Sequence, residues 1–330
     1  MIRYFQSAYP SRLLMLIVLA LGLWFPAIFS SVSEPMVWQT PYADLYTHFV
    51  FPGWLGLVLG FLLFLIPALW MNKVGISTTL ISKNTYLTAL LFLIFAGQSP
   101  GLLTLNPFLV TAFLLILFLE RVYRLQKHPH PIVIAFDAGL LLGIGVLLFP
   151  PLIILFVFIW LSLIAYRVGT WRAYLVSLLG TMTPYLIVLS LRFLMDRPLD
   201  PLRDIMGNFS FHPVVLFSGS WFNMAVVALL GILVVVAVFY MISTMGQKKI
   251  AFRQHALTTL WAFFLILMLI LIFNKNRQVL LLMAGPASLL LAAFLDQLKH
   301  QKWMNRLLWL VLVLVLINQY YSLFYAVKIV

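Results

Sequence analysis

The chain has 330 residues, 64% of them hydrophobic and 9% charged, with a mean hydropathy of +1.09. A soluble domain is about 45–50% apolar and about a quarter charged, so this composition excludes a water-surrounded core and points to lipid as the solvent. The net charge of +13 reads as short-loop cations that set topology, not as a nucleic-acid footprint, and the lack of cysteine excludes disulfides, thiolate metal sites and cysteine nucleophiles.

The first apolar stretch, from Leu13, follows Arg3 and Arg12 as a signal peptide would. It has no small-residue cleavage site and many comparable stretches follow, so it reads as a retained helix. A crossing helix needs about 20 residues. Candidate spans begin near Leu13, Val50, Thr85, Leu103, Pro131, Pro151, Ala173, Trp221, Ala256, Val279 and Arg306, the third and sixth being short. The fifth and sixth form a hairpin around "FPP" at 149–151, where the prolines deny the donors that would continue one helix. Within "DAGLLLGIGVLLFPP", Gly139 and Gly143 have the GxxxG spacing that lets helices approach closely. The expected fold is all-α: a polytopic transmembrane helix bundle of about eleven spans, a single integral membrane domain over 1–330.

Charge gives the orientation. With a cytoplasmic N-terminus, fifteen of the 21 cations fall inside, leaving Arg192, Arg197, Arg203, Lys275, Arg277 and Lys328 outside. The acids run the other way: Glu34, Asp44, Asp196, Asp200 and Asp204 fall outside, while Glu120, Asp137 and Asp296 lie at inner helix ends. The outer face therefore collects most carboxylates and a few displaced cations, the pattern expected of a functional face.

Three outer segments carry candidates. The loop at about 31–50 combines Glu34, Asp44 and His48 with Trp38, Tyr42 and Tyr46. A short helix through "YADLYTHF" puts Asp44 and His48 on one face, which suits either a carboxylate base or an interfacial aromatic anchor. The loop at about 192–220 alternates Arg192, Asp196, Arg197, Asp200, Arg203 and Asp204. It reads either as local ion pairing or as an arginine rim for phosphate. The turn "FNKNRQ" holds Lys275 and Arg277 near the headgroup layer, where they can meet bulk lipid phosphate or the phosphate of a polyprenyl-linked substrate.

Elsewhere the chemistry is sparse. There is no Walker motif, GxSxG or HExxH, and His128 and His130 in "KHPHP" have no nearby carboxylate, so no metal site is expected. Asp137 reads as a helix-start carboxylate.

Residues 137–186, "DAGLLLGIGVLLFPPLIILFVFIWLSLIAYRVGTWRAYLVSLLGTMTPYL", resemble the middle of the GT-C superfamily of polyprenyl-phosphate-dependent glycosyltransferases. Shared features are a small-residue helix, a short apolar hairpin, a basic inner turn and a "G…P" helix. "NKNRQVLLLMAGPASLLLAAFL", residues 274–295, resembles their late segment, a basic outer turn leading into a Pro-containing span. In overall length and span pattern the chain also resembles bacterial multi-pass families of the inner membrane for which no activity is implied. The GT-C resemblance implies a sugar carried on a polyprenyl-phosphate-linked donor, with a divalent cation as an optional cofactor. It implies Asp44, then Glu34, as catalytic acids, and Lys275 and Arg277, with Arg192 or Arg197, as lipid-phosphate-binding residues. The sequence departs from that pattern in its first loop, where Glu34 and Asp44 are ten apart and not an adjacent pair. The alternative expectation is a non-catalytic subunit or scaffold of an envelope complex, with membrane lipids, other membrane or envelope proteins and no nucleic acid as partners.

Overall fold

Long runs of Leu, Ile, Val and Phe placed in lipid can satisfy their backbone polar groups only within the segment, and helix does this. The computed structural model describes residues 2–5, 9–29, 53–81, 85–98, 103, 106–126, 129–194, 221–273, 277–298 and 301–327. Among these residues the structure is almost wholly helical, without strands.

The helices are α1 (Pro10–Phe29), α2 (Gly53–Ser77), α3 (Leu87–Ala96), α4 (Pro107–Arg124), α5 (Pro131–Leu148), α6 (Phe156–Ala165), α7 (Trp171–Leu194), α8 (Trp221–Thr244), α9 (Ile250–Ile272), α10 (Ala284–Gln297) and α11 (Gln301–Val327). A helical turn at Ile2–Phe5 precedes α1, and 3-10 segments at Pro150–Leu155 and Arg277–Met283 lead into α6 and α10. Among the described residues eight helices are long and apolar enough to cross a membrane: α1, α2, α5, α7, α8, α9, α10 with its lead-in, and α11. The others fall short for separate reasons. α3 has only ten residues, α6 is likewise short, and α4 ends in Glu120, Arg121 and Arg124.

Contacts between helix ends sort the bundle into two ends. At one, here called basal, Trp70 meets Glu120, Arg121 meets Asp137, and Tyr166 meets His255. At the other, the apical end, Asn318 meets Gln98 and Asn223, and Tyr320 meets Gly22.

Two helices form the centre. Every residue of α3 is buried, as is every residue of α10 from Ala284 to Leu295. A helix apolar on all sides belongs in the interior, and α3 and α10 pack on each other with α2, α4, α8 and α9 around them. α3 rises only about 15 Å, roughly half the hydrocarbon thickness. It therefore begins or ends inside the bundle.

The most extensive helix pair is α5 with α7. The two run parallel and interlock through small residues. A Cβ at Gly139 would strike the Ser177 carbonyl oxygen, one at Gly143 would strike the Thr181 carbonyl oxygen, and one at Gly180 would come within 2.5 Å of the Phe136 carbonyl oxygen. The Pro184 ring lies 3.1 Å from the Gly143 position. The GxxxG face is thus used within the chain, which removes it as a docking face for a partner helix. The "FPP" hairpin forms as its prolines require: Phe149 N–H closes α5 on the Gly145 carbonyl at 2.8 Å, and the 3-10 turn begins at Pro150.

Replacing Gly139 with leucine drives a side chain into backbone, which costs about 1–3 kcal/mol or more. Gly139→Leu should therefore lower the unfolding temperature of detergent-purified protein by several degrees or abolish its monodisperse peak. Gly231→Ala places a methyl in open space and should leave both measurements unchanged.

Candidate functional site

Of the residues singled out in the sequence, Glu34, Asp44, Arg197 and Lys275 lie outside the described residues. Arg192 stands in the last turn of α7, half-buried, at the apical end. Arg277 opens the 3-10 segment that leads into α10, also at the apical end. Their elements have different neighbours: α7 packs mainly on α5, and the Arg277–Met283 segment packs on α3, α4 and α9. Asp137 is drawn to Arg121 at 3.5 Å across the α4–α5 boundary, with both side chains partly exposed.

The apical end also holds polar residues that the sequence pattern did not single out. Helix ends leave carbonyls without intrahelical partners, and in apolar surroundings those carbonyls need donors. Where α3 stops, Asn318 Nδ2 donates to the Gln98 carbonyl at 2.6 Å and to Asn223 Oδ1 at 3.0 Å. Gln319 Nε2 donates to the Gly97 carbonyl at 2.7 Å, and Tyr320 Oη donates to the Gly22 carbonyl at 3.1 Å. One polar triplet near the end of α11 thereby fastens α1, α3 and α8. The triplet "NQY" was visible as a polar interruption of the last span, but its partners lie about 95 to 298 residues away.

The basal end is closed by two further groups. Glu120, only 6% exposed, accepts from Trp70 Nε1 at 2.7 Å and from Arg124 Nη2 at 2.5 Å. A buried carboxylate is tolerable when paired in this way. On the other side, Tyr166 Oη lies 2.8 Å from Thr258 Oγ1 and 3.1 Å from His255 Nδ1. Tyr123 Oη lies 3.1 Å from Thr259 Oγ1, and Gln254 Nε2 donates to the Ala165 carbonyl at 2.9 Å. Tyr166 follows the end of α6, and burial pushes its phenol well above the ordinary tyrosine range, so it remains a neutral hydroxyl. This network joins α4, α6 and α9. Among the described residues no group of three or more His, Cys, Asp or Glu side chains could hold a metal ion.

A bundle of apolar helices with crossing length defines a multi-pass membrane protein. Residues 46–329 match the model of a family described as a family of unknown function, DUF6427, and the chain belongs to that family. No curated protein and no solved structure matches it.

Removing the Asn318 amide takes away the donor to the Gln98 carbonyl and to Asn223 Oδ1, a penalty of about 1–3 kcal/mol. Tyr320→Phe breaks one longer bond and costs about 0.5–1.5 kcal/mol. Thermal melts in one detergent should rank wild type above Tyr320→Phe, and Tyr320→Phe above Asn318→Leu.

Proposed function

We propose that this protein is a bacterial inner-membrane protein of about eleven passes, the eight long helices together with the shorter or more polar α3, α4 and α6, with a cytoplasmic N-terminus and a GT-C-like plan. It takes a sugar from a polyprenyl-phosphate donor at the outer leaflet and passes it to an acceptor hydroxyl. The observation that carries this reading is the unequal charge of the two bundle ends. Lys73, Arg121, Arg124, Arg167, Arg172, Lys248, Lys249 and Arg253 belong to basal helix ends and their connections, whereas Arg192 and Arg277 stand apically. Cations concentrate on the cytoplasmic side of membrane proteins, so the apical end is the outer one. The two apical arginines then need a reason to be there, and an anionic lipid-linked substrate supplies one.

In this scheme Asp44 takes the proton from the acceptor hydroxyl, with Glu34 as the second acid. The acceptor oxygen forms the new bond to the anomeric carbon as the bond from that carbon to the phosphate oxygen breaks. The polyprenyl phosphate leaves with both electrons of that bond. Lys275 and Arg277, together with Arg192 or Arg197, hold the phosphate and stabilise the charge it gains. A divalent cation can share that role.

A positioned general base contributes about 10²–10⁴-fold in rate. Asp44→Asn should therefore reduce transfer from a polyprenyl-phosphate sugar by roughly 100-fold or more while leaving the protein folded in the membrane. Unchanged cell-surface glycans in that variant, with a stoichiometric membrane partner recovered in mild detergent, would favour the non-catalytic subunit instead. The chain has no cysteine, so topology can be read directly. Ala43→Cys and Asn276→Cys should each react with a membrane-impermeant maleimide in intact cells, and protection of either would overturn the outer-face assignment.

A further inference from the structure

α3 lies wholly inside the bundle, so both of its ends have to be closed there. Its far end is met by Asn318 and Gln319. Its start faces the basal end, and the first amides of a helix lack intrahelical acceptors. Tyr86 precedes α3 and supplies no side-chain cap. Its own N–H donates to the Phe5 carbonyl at 2.9 Å. The helical turn Ile2–Phe5 thus sits against the start of α3. Tyr86 also lines a cavity of about 450 Å³ with Leu69, Asn72, Lys73 and Ile76 of α2.

Few contacts hold this turn. Phe5 is 1% exposed and belongs to the apolar core, whereas the neighbouring Tyr4 is 41% exposed. Their rings meet edge to face, with centroids 5.3 Å apart. Arg12, near the start of α1, lies over the Tyr4 and Tyr9 rings, 5.0 Å from each centroid. Among the described residues, then, the turn offers a buried ring, a backbone bond to Tyr86 and a cation–π contact against the entropy of ordering its chain. α3 and α10, by contrast, are enclosed residue by residue. Segments with few buried apolar contacts open locally, well before the core does.

We propose that Ile2–Phe5 is a strap that releases from the start of α3 while the rest of the bundle stays folded. In the closed state Phe5 fills its place in the core and its carbonyl satisfies Tyr86. In the open state the Tyr86 N–H gives up that acceptor and the space under Phe5 is vacated. Thr85, buried beside Tyr86 at 1% exposure, then becomes reachable from the basal side. The strap thereby controls basal entry to the space between α2 and α3. It acts at the opposite end of the bundle from the proposed transfer chemistry and does not depend on that reading.

The test uses full-length protein in a neutral detergent and the rate at which N-ethylmaleimide modifies a single introduced cysteine, the native chain having none. Thr85→Cys reports the strap, and Ser288→Cys, at a wholly buried position of α10, reports the core. Each rate is divided by its value in denaturant. In the otherwise native chain Thr85→Cys should react about 10-fold faster than Ser288→Cys, or more. Adding Phe5→Ala should speed Thr85→Cys by a further ~10-fold or more and leave Ser288→Cys unchanged. Tyr4→Ala removes an exposed ring and its Arg12 contact, and should speed Thr85→Cys about 2- to 5-fold. Equal rates for the two cysteines in the native chain would sink the strap, as would a Phe5→Ala effect that is absent or the same at both. If Phe5→Ala fails to give a monodisperse protein, Tyr4→Ala is judged by the same criterion.

Discussion

The architecture rests on one constraint: a peptide carbonyl in an apolar interior must find a donor. A full-length crossing helix meets it by ending at the headgroups, where water is available. α3 cannot, because ten residues cover about half the distance. The carbonyls just past its last turn, at Gly97 and Gln98, are met by Gln319 and Asn318 from α11, more than two hundred residues later. That closure permits a short, wholly buried helix at the centre of the bundle. It also fixes the position of α11 against α1, α3 and α8.

Packing elsewhere follows from the absence of a hydrophobic drive between helices in lipid. Close approach has to come from shape, and in α5 and α7 it comes from Gly139, Gly143, Gly180 and Pro184. The hydroxyls on that face bond back to their own helix: Ser177 to Tyr174 and Thr181 to Ser177. They thus leave no unmet donor at the contact. α10 uses the other solution, an apolar surface on every side enclosed by neighbours. Interlocked peripheral helices and an enclosed centre together leave the polar work to the two ends.

Those ends have different chemistry. The basal end is rich in cations and closes with Glu120 paired to Trp70 and Arg124 and with the Tyr166–His255–Thr258 network. A cavity lined by Leu69, Asn72, Lys73, Ile76 and Tyr86 opens beside it. The apical end spends its amides on backbone closure and leaves Arg192 and Arg277 at its margin.

Local pattern was enough for membrane class, helical fold, the break at Phe149–Pro151 and the small-residue face of α5, because hydropathy, proline and glycine act within a few residues of themselves. The candidate outer segments were picked out by their charges against an apolar background, and Glu34, Asp44, Arg197 and Lys275 among them lie outside the described residues. Only the tertiary structure decided that the GxxxG face is filled by α7, that α3 is sealed by Asn318 and Gln319, and that Asn72 and Thr85 share a cavity with Lys73. Each of these joins residues far apart in the chain. Hydropathy says that a segment will be buried, but not which distant side chain will supply the hydrogen bond its backbone requires.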